Sequence, residues 1–400
     1  MALGNLTTLA LALAVSAAAA AAPPASWVEA WYAPPFPPTA TLAFNDVRTF
    51  AHQTVRQVVR VETAGKRLRV RLTNELGLAP VRIGSVHVAL SSPNGVTEPQ
   101  TDHLLTFGGR AEASIPIGRA LLSDPVDMPV AAFTDLAISI YYPRSLAPSG
   151  HLTQVHISPR GDHGAEPVWP RAASARAPAL ASAVEVQGGA PRRVLVAFGD
   201  SITEGAGSTP GTNQDWPQQL AVRLAQSPVG KGWVVINSGI GGNRLLHDGA
   251  GPKALDRFDR DALDISGVRA VIVHEGINDI GWAYDPDGDS GPVRAADIIG
   301  AYQQLIARAH ARGLKIFGGT ILPYEEAVYY HPQGETVRQA VNVWIRTSGA
   351  FDGVIDFDQA VRDPRHTARF LGADQCGDNL HPNDAGYRAM SEAVDLKLLQ

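Results

Sequence analysis

Apolar and polar residues alternate along short stretches in the first half of the chain. Residues 66–72 place apolar side chains on one side and arginines on the other, which is typical of a half-buried antiparallel strand. Residues 81–90 and 133–142 repeat the pattern. Several such strands at short spacing predict an all-β sandwich or jelly-roll domain over residues 27–160. We expect the arginines to form a solvated face rather than a strip that binds an acidic polymer.

The second half alternates short apolar runs with helical patterns. Asp215 can cap a helix that has Pro217 in its first turn. Two longer helical stripes are each followed by a glycine, Gly313 or Gly349. Such alternation predicts an α/β domain with a three-layer, doubly wound parallel sheet over residues 192–400, whose ligands bind beyond the carboxyl ends of the strands. The runs that suit buried parallel strands are residues 193–198, 233–237, 269–274, 314–318 and 353–356.

Two segments of biased composition flank the β domain. Residues 161–191 are rich in Ala, Pro, Ser and Gly and are predicted to be a linker, with one strand at residues 183–186. Residues 1–26 are predicted to be a signal peptide, because a short apolar run precedes alanines that offer Ala-x-Ala cleavage sites. The usual positive charges before the apolar run are missing, which a start codon assigned too late would explain. We expect a periplasmic or secreted protein.

Charge and cysteine content limit the partners, disulfides and metal sites that we expect. The chain has 400 residues and a formal net charge of −5, so a broad basic surface for nucleic acid is not expected. The apolar run near the start is shorter than a membrane span, so stable membrane insertion is not expected. Cys376 is the single cysteine, which excludes an intramolecular disulfide, and we interpret it as a bystander. No Cys/His pattern has zinc spacing, so no metal site is predicted.

The first candidate catalytic residue is Ser201, which follows a strand-like run and lies on a glycine-flanked turn. A serine hydroxyl needs a base within hydrogen-bond reach and a third group that orients the base. Asp378 and His381 are three residues apart, a spacing that suits contact between the carboxylate and Nδ1 and leaves Nε2 free to face Ser201. The alternatives are an ordinary Gly-Asp-Ser turn and a surface Asp–His pair.

Four blocks occur in order: Gly199-Asp200-Ser201, then residues 237–243, 276–279 and 378–382. Together they resemble the blocks of the SGNH (GDSL) hydrolases. The resemblance implies a flavodoxin-like hydrolase domain, ester hydrolysis through an acyl-enzyme and no cofactor.

By the same resemblance, the oxyanion hole consists of the backbone N–H groups of Ser201 and Gly242 and the side-chain amide of Asn278. Gly242 closing a turn and Asn278 capping a segment are the structural alternatives.

Several residues near these blocks receive no chemical role. We interpret Asp200 and Asp279 as carboxylates that brace loops by accepting backbone hydrogen bonds. Residues 285–291 alternate carboxylates like a calcium loop, but the glycine and the final ligand are misplaced, so a solvated loop is favoured. Trp282 and Tyr284 precede this loop and are candidates for the rim of the substrate pocket.

The sequence therefore predicts an exported serine esterase whose partner is a small-molecule or polysaccharide ester. A β domain before the hydrolase domain resembles the xylanase-associated acetyl esterases, so O-deacetylation of carbohydrate is the first expectation. Hydrolysis of lysophospholipids or aryl esters is the second. An alternative of another class is a carbohydrate-binding protein on an inactive hydrolase scaffold, for which a damaged triad would be the expected sign.

Overall fold

The N-terminal half consists almost entirely of β-strands. A computed structural model describes residues 27–38, 49–190, 192–283 and 291–400. All strand pairs described before residue 190 are antiparallel. The strands are β1 (Val28–Tyr32), β2 (Gln53–Val61), β3 (Arg67–Asn74), β4 (Val81–Ile83), β5 (Ser85–Leu90), β6 (His103–Leu104), β7 (Ala113–Ile115), β8 (Arg119–Leu122), β9 (Thr134–Tyr142), β10 (His151–Arg160), β11 (Ala173–Ala179) and β12 (Ala181–Gln187).

Two larger sheets account for most of these strands. One has the order β1-β12-β3-β8 and the other β11-β10-β2-β9-β5-β6. Leu68, Val70 and Leu72 of β3 are buried as predicted, and they belong to one apolar core with residues of the six-stranded sheet. The arginines between them are only partly solvated, since Arg69 pairs with Glu185 of the neighbouring strand β12.

The linker predicted at residues 161–191 was wrong for residues 173–179 and 181–187, which form β11 and β12. The predicted strand at residues 183–186 lies within β12, which pairs with β1 and β3. The alanines of both strands are largely buried in the core. The alanine-rich strand β11 gave no strand signal in the sequence, whereas part of β12 was predicted.

The C-terminal half alternates strands and helices as predicted. A π-helical turn, Asp259–Leu263, follows α3. The elements are β13 (Arg193–Gly199), α1 (Ser201–Glu204), α2 (Trp216–Gln226), β14 (Trp233–Gly239), α3 (Ala254–Phe258), β15 (Val268–His274), α4 (Ile277–Trp282), α5 (Ala295–Ala311), β16 (Lys315–Gly319), α6 (Pro332–Thr347), β17 (Gly353–Ile355), α7 (Phe357–Val361), β18 (Arg362–Asp363), β19 (His366–Phe370) and α8 (Asp384–Ala393).

A five-stranded parallel sheet forms the centre of this half, in the order β14-β13-β15-β16-β17. The side chains of residues 194–198 are completely buried, as expected for a central parallel strand. Gly199 is in register with Gly239 on one side and with His274 on the other. The loops after these three strands therefore leave the sheet at the same edge.

The predicted helix signals also hold. The Asp215 carboxylate accepts a hydrogen bond from the Gln218 N–H at the start of α2. Gly313 and Gly349 have positive φ values of 68° and 65° just beyond α5 and α6, which is the conformation that favours glycine after a helix. No helix within the described residues is long and apolar enough to cross a bilayer.

The two halves share an apolar contact. Val28, Tyr32 and Ala183 from the antiparallel sheets belong to the same buried cluster as the parallel sheet. The Tyr32 hydroxyl donates a 2.7 Å hydrogen bond to Asp261 Oδ1, and both groups are buried. The antiparallel sheets are thus packed directly against the α/β half.

Candidate active site

Ser201 lies on a sharp turn between β13 and α1. Strand β13 ends at Gly199, and Asp200 caps α1 by accepting a 2.9 Å hydrogen bond from the Ile202 N–H. A Cβ atom at Gly199 would lie 2.1 Å from Thr203 Oγ1 and 2.4 Å from the His274 carbonyl oxygen. Glycine is required there because the neighbouring strand and helix approach so closely. The turn places Ser201 as the first residue of α1.

The structure brings Ser201 together with His381 and Asp378 in one hydrogen-bonded row. Ser201 Oγ lies 2.8 Å from His381 Nε2, although the two residues are 180 positions apart. His381 Nδ1 lies 2.6 Å from Asp378 Oδ2. A neutral imidazole with its proton on Nδ1 can donate to the carboxylate and accept from the serine hydroxyl. This is the connectivity that the sequence predicted.

The loop that carries Asp378 also orients its carboxylate. Asp378 Oδ1 accepts hydrogen bonds from the backbone N–H groups of Leu380, at 3.0 Å, and His381, at 2.8 Å. Partial burial alone would raise the pKa of Asp378, but these bonds and the His381 side chain outweigh it and hold the pKa below its ordinary value. The carboxylate therefore stays ionised beside the imidazole.

Cys376 lies next to this row without joining it. Its backbone N–H donates a 2.9 Å hydrogen bond to the His381 carbonyl oxygen. Partial desolvation, together with the negative charge of Asp378, raises the pKa of the Cys376 thiol. Since the thiolate is the reactive form, this environment is unfavourable to a nucleophile.

Gly242 and Asn278 follow the two strands that flank β13. Gly242 has a φ of 73°, in the left-handed region. The Asn278 amide nitrogen donates one 2.9 Å hydrogen bond to the Asn243 carbonyl oxygen, so the side chain is fixed against the Gly242 loop. An amide nitrogen has two hydrogens, which leaves the second for another acceptor. Within the described part of the chain, no backbone carbonyl accepts from the N–H of Ser201 or Gly242.

Tyr329 orients the Asn278 amide and was missed in the sequence. Its hydroxyl donates a 3.3 Å hydrogen bond to Asn278 Oδ1. The ring also lies 5.4 Å from that of Trp282 and would collide with a Cβ atom at Gly281. Tyr329 lies about fifty residues after Asn278 on an irregular segment, so no local pattern indicates the contact. Tyr284 and residues 285–290 lie outside the described residues.

Asp200 and Asp279 brace loops, as predicted. Asp279 accepts hydrogen bonds from the N–H groups of Leu245, at 2.6 Å, and Leu246, at 2.9 Å. Burial raises the pKa of Asp200 to about 7 and that of Asp279 to about 6. In both cases the backbone donors oppose the shift. The two carboxylates hold the turns on either side of the site.

Arg257 is a buried residue that the sequence did not single out. Its guanidinium donates hydrogen bonds to the carbonyl oxygens of Gly199, at 2.8 Å, and Ser238, at 3.0 Å. It also donates to Asn243 Oδ1 at 2.7 Å and lies 3.4 Å from the Glu275 carboxylate. One side chain thus connects the ends of β13 and β14 with the loops after β14 and β15. An arginine beside acidic residues in a helix would ordinarily indicate an exposed face.

The antiparallel sheets reach the turn that carries Ser201. Glu204, one helical turn after Ser201, accepts hydrogen bonds from Arg176 Nη2 at 3.2 and 3.3 Å. His151 Nε2 lies 3.4 Å from the same carboxylate. Arg176 is in β11 and His151 in β10, so the segment predicted to be a linker contributes a contact to the site. Among the described residues, no group of three or more His, Cys, Asp or Glu side chains could hold a metal ion.

Part of the chain matches a known protein family. Residues 197–389 match the model of the GDSL-like lipase/acylhydrolase family, and the matched segment includes Ser201, Asp378 and His381. No curated protein matched the chain.

Solved structures with a similar fold cover about half of the chain. An acetylxylan esterase from Geobacillus stearothermophilus is 21% identical, with a TM-score of 0.41 over 52% of this chain and 94% of its own. A GDSL-like lipase from Bacteroides thetaiotaomicron is 18% identical, with a TM-score of 0.39 over 52% and 87%. An α/β hydrolase from the metagenome of Lake Arreo, Spain, is 20% identical, with a TM-score of 0.41 over 51% and 94%. Residues 197–389 are therefore a GDSL-like lipase/acylhydrolase domain, and the protein is a carboxylic ester hydrolase.

Proposed function

We propose that the protein is an exported serine esterase that removes acetyl groups from carbohydrate. The observation that carries the proposal is the hydrogen-bonded row from Ser201 through His381 to Asp378. Serine can attack a carbonyl at neutral pH only when such a base accepts its proton. We assign the nucleophile to Ser201, the general base to His381 and the orienting carboxylate to Asp378.

The reaction follows from these positions. Ser201 Oγ attacks the ester carbonyl carbon while its proton moves to His381 Nε2. The resulting tetrahedral intermediate collapses, the C–O bond to the alcohol breaks, and the alcohol leaves with the proton from His381. Water then attacks the acyl-enzyme by the same route, and the carboxylic acid departs. Asp378 stabilises the transient imidazolium, and its low pKa keeps it ionised while it does so.

The oxyanion of each tetrahedral intermediate requires preorganised donors. We assign this role to the N–H groups of Ser201 and Gly242 and to the second amide hydrogen of Asn278. The contacts from Asn243 and Tyr329 support the assignment of Asn278, because they fix which end of the amide is the donor. Each such donor contributes about 3–4 kcal/mol to acyl transfer.

The proposal also includes the layers of the α/β half, the type of β domain, the domain boundary and export. A strand order in which the second parallel strand flanks the first supports a doubly wound, flavodoxin-like domain in three layers. A core shared by two antiparallel sheets supports a β-sandwich domain. The positions of β12 and β13 support a domain boundary at residues 188–192. Export rests on the predicted signal peptide, which lies outside the described residues.

The preference for acetylated carbohydrate rests on the predicted export and on the resemblance in domain order. It is tested with p-nitrophenyl esters of increasing acyl length, acetylated xylo-oligosaccharides and a lysophospholipid. We expect the highest kcat/KM for acetyl esters and release of acetate from the oligosaccharides. Ser201→Ala should abolish most turnover, while Ser114→Ala, an exposed serine in β7, should retain it.

Preference for long acyl chains or for the lysophospholipid would replace the deacetylase proposal with a lipolytic one. Equal activity of the Ser201→Ala and wild-type proteins would refute the assignment of the nucleophile.

A further inference from the structure

The Gly242 loop, residues 240–252, contacts the N-terminal half of the chain as well as the parallel sheet. It follows β14, and the Ile240 N–H donates a 3.0 Å hydrogen bond to the Gly199 carbonyl oxygen. Gly241 and Gly242 have no side chains that could hold the peptide between them, and glycine loses more conformational freedom on ordering than any other residue. The direction of the Gly242 N–H therefore depends on the groups that pack around the loop.

Phe36 supports the loop near both of its ends. The residue lies shortly after β1, and its N–H donates a 3.2 Å hydrogen bond to the Gly150 carbonyl oxygen just before β10. Phe36 is 5% exposed and forms a small buried cluster with Ile240 and Ala250, apart from the two large cores. Ile240 lies two residues before Gly242. This contact therefore limits the movement of the segment that leads to the Gly242 N–H.

The Glu204 carboxylate supports the loop at Gly241. A Cβ atom at Gly241 would lie 2.6 Å from Glu204 Oε2 and 3.8 Å from Arg176 Nη2. Hydrogen bonds from Arg176 hold the carboxylate there, and His151 Nε2 lies 3.4 Å from it. The Glu204 side chain is 11% exposed. Since a mostly buried carboxylate needs a charged partner, loss of Arg176 would draw Glu204 away from Gly241 toward water.

We propose that the N-terminal half orients the Gly242 N–H toward the oxyanion, with Phe36 and Arg176 as positioning residues. Phe36 acts through Ile240, and Arg176 acts through Glu204. This role rests on the proposed function, in which Gly242 is a donor to the oxyanion. Arg176 belongs to β11, so a strand of the N-terminal half contributes to catalysis through the loop rather than through the substrate.

Steady-state kinetics with p-nitrophenyl acetate test the proposal. Loss of a whole oxyanion donor lowers kcat about 10²- to 10³-fold. A donor that is only loosened should cost less, so we expect Arg176→Met and Phe36→Ala each to lower kcat about tenfold with little change in KM. Circular dichroism at the assay temperature checks that each variant is folded.

A transition-state analogue separates a positioning role from a merely structural one. 1,1,1-Trifluoroacetone forms a tetrahedral adduct with a catalytic serine, and the oxygen of the adduct carries the negative charge that the oxyanion donors receive. The inhibition constant should rise about tenfold in both variants, in proportion to the fall in kcat/KM. Partial unfolding would lower the concentration of active enzyme but would leave this constant unchanged.

Conservative variants and a control complete the test. Arg176→Lys keeps the positive charge, and Phe36→Leu keeps an apolar contact, so each should retain kcat within about threefold of wild type. Arg176→Met combined with Glu204→Gln should lower kcat no further than either change alone, because both weaken the same pair. Arg82→Met, which changes an exposed arginine in β4, should keep the wild-type kcat.

Wild-type kcat in both Arg176→Met and Phe36→Ala would overturn the proposal, as would a lower kcat with an unchanged inhibition constant. Loss of activity in the Ser201→Ala protein alongside either result would leave the proposed function standing. Wild-type activity of the Ser201→Ala protein would instead contradict the proposed function, and this inference with it.

Discussion

Arg257 Nη2 donates a 2.8 Å hydrogen bond to the carbonyl oxygen of Gly199, the last residue of the strand that leads to Ser201. The same guanidinium binds the Ser238 carbonyl oxygen and Asn243 Oδ1. The relative position of the serine turn and the Gly242 loop therefore depends on one completely buried cation. Arg257 is a positioning residue, since it acts on the site through the backbone rather than on substrate.

Replacing Arg257 by methionine should strongly destabilise the protein. The change keeps much of the side-chain volume but leaves the buried Glu275 carboxyl and several carbonyl oxygens without their donor. Loss of one partner of a buried pair costs about 3–5 kcal/mol, measurable by urea unfolding. Arg312→Met breaks the exposed pair with Asp264 and should cost less than about 1 kcal/mol. Equal stability of the two variants would contradict the role of Arg257.

Asn278→Ala should lower kcat for p-nitrophenyl acetate about 10²- to 10³-fold with little change in KM, because the amide acts mainly in the transition state. Tyr329→Phe should have a smaller effect of the same kind, since it only releases the orientation of the amide. Tyr330→Phe is the matched control and should keep the wild-type kcat. A normal kcat for the Asn278→Ala protein would remove this residue from the oxyanion hole.

The buried carboxyls predict a pH dependence of stability with a definite sign. Burial raises the pKa of Glu29 to about 8, with a further contribution from Glu185. Between about pH 4.5 and 8 the group is protonated in the folded state and ionised in the unfolded state, so its contribution to stability falls as pH rises. The slope from one such group is at most about 1.4 kcal/mol per pH unit.

Glu29→Gln should therefore reduce the fall in the free energy of unfolding between pH 4.5 and pH 8, as measured by urea unfolding at several pH values. Glu62, whose pKa is raised in the same direction, should preserve part of the slope. Glu98→Gln should behave as wild type, because its side chain is exposed. An unchanged slope for the Glu29→Gln protein would show that Glu29 is ionised in the folded state.

A chain that begins at residue 188 should not fold stably. It would lose Tyr32, whose hydroxyl binds the buried Asp261 and whose ring belongs to the cluster of the parallel sheet. It would also lose Arg176, the partner of Glu204 beside Ser201. We expect aggregation or a lower melting temperature by circular dichroism, compared with a chain that begins at residue 27. Equal melting temperatures would show that the antiparallel sheets are dispensable for the fold.

Local sequence patterns predicted much of the α/β half, because its apolar runs and helix caps are formed by residues close together in the sequence. Five apolar runs became the five parallel strands, and Asp215 caps α2 as its position suggested. Ser201 and His381 are 180 residues apart, so spacing alone could not predict their contact. The order of the four sequence blocks indicated it.

Other features depend on contacts that no local pattern encodes. Strand β11 and the start of β12 were missed because alanine carries little apolar signal, although the core buries Ala177, Ala179 and Ala181. Arg257 was missed because burial of an arginine depends on carbonyl oxygens from distant strands. A cavity is lined both by residues of β2 and by residues of the segment after α1, so only the packed structure shows it.

The most direct test of the central claim is covalent trapping with a p-nitrophenyl alkylphosphonate, followed by intact-mass measurement and peptide mapping. The account predicts one phosphonyl group per chain, located on Ser201, released with one equivalent of p-nitrophenol. His381→Ala should slow the labelling, and Ser201→Ala should prevent it. Labelling of another residue, or equally fast labelling of the Ser201→Ala protein, would contradict the account.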